Sequence, residues 1–417
     1  MRKIAWVLLL LYAFAIPWEY SLDLGEPLGN VARILGILLL LAAVPAVLQA
    51  GRMRAWGPMQ WMVLALYLWI CLSCFWTIDP AATLAKVRAF LQEMMVVWMV
   101  WEFVESPGDL RNLLRVFVAG SWVLAALTLA NAGSPEAMAA GQFRFAAYGQ
   151  DPNDVARFLD LGFPLAGLLV NAEPRWPARL LALGYLPLGL FAVLLTASRG
   201  GFVAALAALT GCALLLARGR GSAALTTVFA LPVVIVVAWL VVPTEIFERL
   251  STIPQQLAGG DLNQRLNIWS AGWHAFRQAP LFGTGAGTFV HAAGLAPIDT
   301  AHNTALSILV GGGLCALCLA VCVVALAVRA VLQTEGALRI ALATALLVWM
   351  VTSLVATVEE SRTTWLLMGF IALAGRFAVE APIQLAKTFP APRPRAAGWL
   401  QPRFALRAKE RLQANLR

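Results

Sequence analysis

Asp261–Gly313 reads DLNQRLNIWSAGWHAFRQAPLFGTGAGTFVHAAGLAPIDTAHNTALSILVGGG. It is the polar end of the one long hydrophilic interruption, roughly residues 243–301, in an otherwise apolar chain. All three histidines lie in it: His274, His291 and His302. It also holds Arg265, Trp269, Trp273 and a glycine-rich turn. On both sides of it the chain turns oily, in apolar runs of about 20 residues, each enough to span a bilayer.

The composition agrees. Hydrophobic residues make up 60% of the 417 and charged ones 13%, against about 25% charged in a soluble domain. The mean hydropathy is +0.76. A β-barrel would show alternating segments of about ten residues; these runs are continuous. The reading is an all-α polytopic membrane protein of about twelve transmembrane helices, with one large periplasmic helical loop between helices nine and ten. The spans are expected near 4–18, 28–49, 58–76, 85–104, 111–131, 153–171, 178–196, 201–217, 224–242, 302–328, 338–357 and 363–380. The domains follow: 1–242 for the first nine helices, 243–301 for the loop that carries the chemistry, 302–380 for the last three, and 381–417 for a basic cytoplasmic tail. The first run, Ile4–Ile16, follows Arg2-Lys3 and precedes no small-residue cleavage site, so it reads as a retained helix.

Orientation comes from the positive-inside rule. Roughly two thirds of the 31 lysines and arginines fall on the face that holds both termini, which makes that face cytoplasmic. The loop is then outside, and the setting reads as a bacterial inner membrane. The tail, too poor in apolar residues to fold alone, is expected on the anionic cytoplasmic leaflet. Topology accounts for most of the net charge of +9, and no nucleic-acid partner is expected. The six cysteines, Cys71, Cys74, Cys212, Cys315, Cys318 and Cys322, sit inside apolar runs and read as small packing residues.

The cations left on the outer face carry the functional clue, because a charge near the bilayer normally faces a cavity or a partner. Arg144, Arg157, Arg199 and Arg265 are expected to converge, whereas Arg33, Arg249 and Arg277 read as snorkelling to lipid phosphates. Arg199 lies in the tightest outer turn, Thr196–Gly201. Arg265, Trp269 and Trp273 are four apart and share a helix face; together they can clamp an anionic, partly apolar ligand, with the guanidinium forking phosphate oxygens. Asp151 and Pro152 suit the start of a helix, which turns Asn153 and Asp154 toward an outer cavity. Lys86 and Arg88 are further candidate substrate contacts. Glu359, Glu360 and Arg362 are expected to pair with one another or to orient Arg199. The turn Gly283–Gly287 suits a phosphate through free backbone N–H groups, or a re-entrant bend. His302 is expected in the first turn of a helix capped by Asp299, where the dipole disfavours the imidazolium and leaves a general base. His274 and His291 lack such a setting.

These residues resemble the O-antigen ligase and O-antigen polymerase superfamily of bacterial membrane glycosyltransferases. The matching pattern is R-x3-W-x3-W (Arg265, Trp269, Trp273), P-x-F-G-x-G-x-G (Pro280 to Gly287), H-N opening a helix (His302, Asn303), a DPN turn (Asp151–Asn153) and an SRG turn (Ser198–Gly200). Twelve helices and one late loop are more similar to the ligase. The resemblance implies a GT-C-like membrane fold, an undecaprenyl diphosphate-linked O-antigen donor, a lipid A–core acceptor, and membrane lipids around both. It implies His302, Arg265 and Arg199 as catalytic, with Arg144, Trp269, Trp273, Asn303, Asn153, Asp154, Lys86 and Arg88 binding substrate. No DxD or His/Asp cluster on the outer face has metal-ligand spacing, so neither metal nor cofactor is expected. The rivals are an O-antigen polymerase, an O-linked protein oligosaccharyltransferase with the same loop, and a polyprenyl-lipid transporter or flippase. The last usually shows internal repeats, and the two halves here show none.

Overall fold

A computed structural model describes residues 1–25, 29–134, 143–218, 236, 239–240, 242–260, 264–297 and 299–390. The named elements are all helical. Those long enough to matter for the membrane are α1 (Arg2–Ala15), α2 (Val31–Ala50), α3 (Pro58–Leu72), α4 (Pro80–Phe103), α5 (Pro107–Ala132), α6 (Pro152–Ala172), α7 (Trp176–Leu195) and α8 (Arg199–Arg218). The loop carries α9 (Thr244–Ser251), α10 (Ile253–Gly259), α11 (Arg265–Gln278) and α12 (Phe289–Ala292). The chain then closes with α13 (Thr304–Gln333), α14 (Gly336–Ser353), α15 (Arg362–Glu380) and α16 (Pro382–Thr388).

Among the described residues, 10 helices are long and apolar enough to cross a membrane. Two of the twelve expected spans account for the difference. The one near 85–104 forms as a helix, α4, of 24 residues, but Lys86, Arg88, Glu93 and Glu102 make it the most charged of the long helices. The one near 224–242 falls largely outside the described residues.

Local chemistry explains where the helices begin. Asn30, Asp79 and Asp151 cap α2, α4 and α6 by accepting from the N–H groups of Arg33, Ala82 and Asn153 at 2.9, 3.0 and 2.8 Å. Prolines stand in the first turns of α3, α4, α5 and α6, where an N–H has no helical partner to lose. At the other end of α4, Nη1 of Arg54 donates to Trp101 O and Val104 O at 2.6 and 2.7 Å, and Nη2 of Arg376 donates to Val104 O at 2.8 Å. The last carbonyls of a helix lack intrahelical donors, and two guanidinium groups supply them here.

α6 is the axis of the bundle, with nearly all of its apolar stretch buried against α5, α7, α8 and α14. α13 is broken. Gly313 has φ 68° and ψ −168°, so its helix resumes only after an interruption. The loop at 280–285 dips in to meet the break. Thr284 N and Gly285 N donate to Val310 O and Gly311 O, each at 2.9 Å, and Leu314 N donates to Pro280 O at 2.9 Å. Nε1 of Trp69 donates to Gly312 O at 2.9 Å, and its ring stacks on Phe282. Irregular backbone at membrane depth persists only where protein satisfies its polar groups. The glycine turn thus packs into the break of α13. It is no phosphate cradle, because the N–H groups of Thr284, Gly285 and Ala286 are taken by Val310 O, Gly311 O and Ser73 Oγ.

Candidate active site

The turn between α7 and α8 is held by its own side chains. Thr196 Oγ1 donates to Val193 O at 2.7 Å and accepts from Ser198 N at 3.2 Å. Ala197 takes φ 47°, left-handed for a non-glycine residue, which sharpens the bend. Arg199 then opens α8, directly after the bend.

Asn153 links this turn to Arg144. Its Oδ1 accepts from Ser198 Oγ at 2.8 Å and from Arg144 Nη2 at 3.2 Å. The backbone of the Arg144 segment is tied down on either side of that contact: Phe145 N donates to Leu195 O at 2.9 Å, and Asn131 Nδ2 donates to Ala146 O at 2.8 Å. Asn153 is thus a hub that sets two of the predicted residues against each other.

α9 closes the arrangement. Its Ile246 and Leu250 are buried in a small cluster with Phe145, Leu194, Leu195 and Ala197. This seat brings Arg249 onto the turn, where its Nε donates to Ala197 O at 3.1 Å. Arg144, Arg199, Arg249 and Arg265 all line one cleft, with Asn153 between them and Val351 and Val355 as an apolar wall. Arg249 is a correction: it is half-buried in the cation cluster and does not snorkel. Ile246 and Leu250, four apart, mark an apolar stripe in the sequence, but not the turn on which it docks.

Like charges crowd the cleft. Arg144, Arg249 and Arg265 have no carboxylate within ion-pair distance among the described residues. Burial lowers the pKa of each. The neighbouring guanidinium groups push in the same direction: Arg199 acts on all three, and Arg144 on Arg249 and Arg265. Arg157 does not join them. It is buried, paired with Asp154 at 2.8 Å and packed on Phe158.

His302 stands beside the cleft and is not one of its lining residues. The helix start differs from expectation. Asn303, not Asp299, is the N-cap, its Oδ1 accepting from Leu306 N at 2.9 Å. Asp299 accepts from Ala296 N instead, at 3.2 Å. His302 therefore precedes the helix, at φ 45°. Its lowered pKa comes first from burial and next from the charge of Arg265. Asp151, Asp299 and Asp154 oppose the shift. Nδ1 lies 3.3 Å from Thr300 Oγ1. The shift favours the neutral imidazole through burial and Arg265, and not through a place in the first turn of the helix.

The remaining candidates divide. Trp269 donates from Nε1 to Ala301 O at 3.1 Å, so its polar handle is a bracket between α11 and the start of α13. Trp273 is exposed and packs on Phe276. Asn303 caps α13 and also donates from Nδ2 to Leu354 O at 3.2 Å. Lys86 is buried and ion-paired with Glu359 and Glu360, lining a separate apolar groove; Arg88, two residues on, is exposed. Arg362 pairs with Glu19 and donates to Gln92. The last turn thus pairs with other helices and neither closes on itself nor orients Arg199. α11 starts at Arg265 after a left-handed Gln264. His291 lies 3.5 Å from Asp79, and His274 is exposed.

Among the described residues, no group of three or more His, Cys, Asp or Glu side chains could hold a metal ion. A comparison with curated proteins finds no match. A family model described as O-Antigen ligase matches residues 184–321, a segment that contains Arg199, Arg249, Arg265 and His302. That match, over the segment that carries most of the cleft, makes this part of the chain similar to the O-antigen ligase family and supports a place in the O-antigen ligase/polymerase superfamily.

Proposed function

We propose that the protein is an O-antigen ligase. It transfers the O-antigen glycan from undecaprenyl diphosphate to a sugar hydroxyl of lipid A–core at the periplasmic face of the inner membrane, and so completes lipopolysaccharide. One observation carries this reading: four guanidinium groups line one cleft, three of them without a carboxylate partner among the described residues. Such a cluster is stabilised by a ligand with several negative charges close together, and a diphosphate supplies them. Arginine suits the task because its planar fork takes phosphate oxygens two at a time.

The chemistry follows from where charge develops. As the bond between the anomeric carbon and the diphosphate oxygen breaks, negative charge builds on the leaving group, and fixed cations stabilise it more than they stabilise the bound donor. Arg199 and Arg265 serve there, with Arg144 held ready by Asn153. His302, whose pKa burial and Arg265 lower, accepts the proton of the acceptor hydroxyl while that oxygen attacks the anomeric carbon, so the configuration inverts. The arginines take the place of a divalent cation, and turnover is expected to persist in EDTA.

Mass spectrometry of products from the purified protein, supplied with polyprenyl-linked glycan and lipid A–core, tests the assignment. Glycan joined to lipid A–core supports the ligase. Extension of the glycan on its polyprenyl carrier would reassign the chain as a polymerase, and transfer to a protein hydroxyl as an oligosaccharyltransferase. Movement of the intact lipid without bond exchange would make it a flippase.

A further inference from the structure

The loop helix Thr244–Ser251 contributes more to the cleft than one side chain. Ile246 and Leu250 seal its apolar side against the α7–α8 turn, which fixes the register of Arg249. With Nε bonded to Ala197 O, the two terminal nitrogens of Arg249 have no hydrogen-bond or ion-pair partner among the described residues, and the residue lines the cleft. A cation seated among three others while its fork has no acceptor is a site waiting for an anion.

Thr252, at the end of the same helix, makes a directional relay. Its Oγ1 donates to Arg249 O at 2.7 Å and accepts from Arg199 Nη1 at 3.0 Å. A hydroxyl has one proton to give. With that proton on Arg249 O, the oxygen is left as an acceptor, and a guanidinium is the partner it orients.

We propose that Arg249 is a fourth donor-binding residue, giving its terminal nitrogens to diphosphate oxygens, and that Thr252 is the positioning residue that aims Arg199 into the same cleft. The proposal rests on the diphosphate reading of the cleft given above. It makes the loop helix part of the donor site, so that the anion bridges the loop and the membrane bundle.

Farnesyl diphosphate and farnesyl monophosphate, titrated against the purified full-length protein in nanodiscs, separate the possibilities. Arg249→Gln should weaken farnesyl diphosphate about tenfold, the scale of losing a hydrogen bond to a charged group, and weaken the monophosphate less. Thr252→Val should weaken the diphosphate severalfold, and Thr252→Ser should restore it. The Thr252→Val effect should vanish in an Arg199→Ala background, since neighbours acting through one another are not additive. Wild-type affinity in Arg249→Gln, with Arg265→Ala still impaired, would overturn the role of Arg249 and leave the cleft reading standing. Wild-type affinity in both would sink the two together. Additive losses in the Thr252 and Arg199 double variant would overturn the positioning role. Should Arg249→Gln fail to fold, Arg249→Lys carries the test: it keeps the charge but not the fork, so an unchanged preference for diphosphate over monophosphate would refute the proposal.

Discussion

Nε1 of Trp269 donates a 3.1 Å hydrogen bond to the carbonyl oxygen of Ala301, and this pins the helix carrying Arg265 to the residue preceding His302. Arg265 lies one turn before Trp269 on the same face. The bond therefore sets the distance between the guanidinium that would hold the leaving group and the imidazole that would take the proton. Trp269→Phe keeps the packing and loses the bond. It should cost about 1 kcal/mol of stability and, through misplacement of the reacting groups, a drop in turnover of about tenfold or more. Melting curves and initial rates read the two effects separately. An unchanged rate would show that the pin does not set the geometry.

His302→Ala should abolish transfer while leaving farnesyl diphosphate affinity within about twofold, because a general base acts in the transition state and not in donor binding. The pH profile offers a second check. The pKa of His302 is lowered, so the imidazole stays neutral to below the usual value near 6.5, and the acid limb of the rate profile should lie below that pH. Arg265 is the second cause of the lowering, after burial. Arg265→Gln removes a neighbouring positive charge, favours the imidazolium and should move the limb upward. A limb that stays in place, or moves down, would contradict the coupling.

Arg199→Ala and Arg265→Ala should each weaken farnesyl diphosphate by roughly tenfold or more, the expected loss for a charge-assisted hydrogen bond. Lysine at either position should recover little, because an ammonium cannot fork two oxygens. Isothermal titration at two salt concentrations would show whether the loss is of charge, which lysine restores, or of geometry, which it does not.

Gly313→Ala tests the broken helix. Gly313 has φ 68° and ψ −168°, a region essentially closed to residues with a Cβ. An added Cβ would also collide with the Leu281 carbonyl of the re-entrant loop. The expected cost is at least about 1–3 kcal/mol from backbone strain alone, read as a lowered melting temperature in detergent. Gly294, whose Cβ position is open, is the control, because only the φ term operates there.

Lys86→Met should destabilise far more than Arg88→Met. Lys86 is 9% exposed, and its partner Glu359 is 5% exposed. Removing the ammonium leaves a buried carboxylate whose remaining donor is Ser307 Oγ, at 2.5 Å. Such a break typically costs about 3–5 kcal/mol. Arg88, two residues away and exposed, should shift the melting temperature little.

Much of the site was legible in the residues because the bilayer makes charge informative. A cation near lipid needs a reason, and so Arg144, Arg199 and Arg265 could be singled out before any contact was known. Where the reading went astray, it lacked a neighbour. Arg249 looked like a snorkelling side chain because nothing in the sequence shows that Ile246 and Leu250 dock on the α7–α8 turn. Lys86 looked like a substrate contact because Glu359 and Glu360 lie far away along the chain. The glycine turn looked open to a phosphate because its acceptors, Val310 O and Gly311 O, belong to another segment.

Hydropathy and charge alone determined that this is a helical, multi-pass membrane protein and singled out the candidates for its chemistry, because desolvating a polar group is costly wherever it sits. Only the tertiary structure decided who meets whom. The gathering of four arginines around Asn153, the break of a helix at Gly313 and the seat of His302 ahead of that helix depend on contacts between distant segments. Such contacts are set by packing and by the pairing of backbone groups, which leave no period or composition to read.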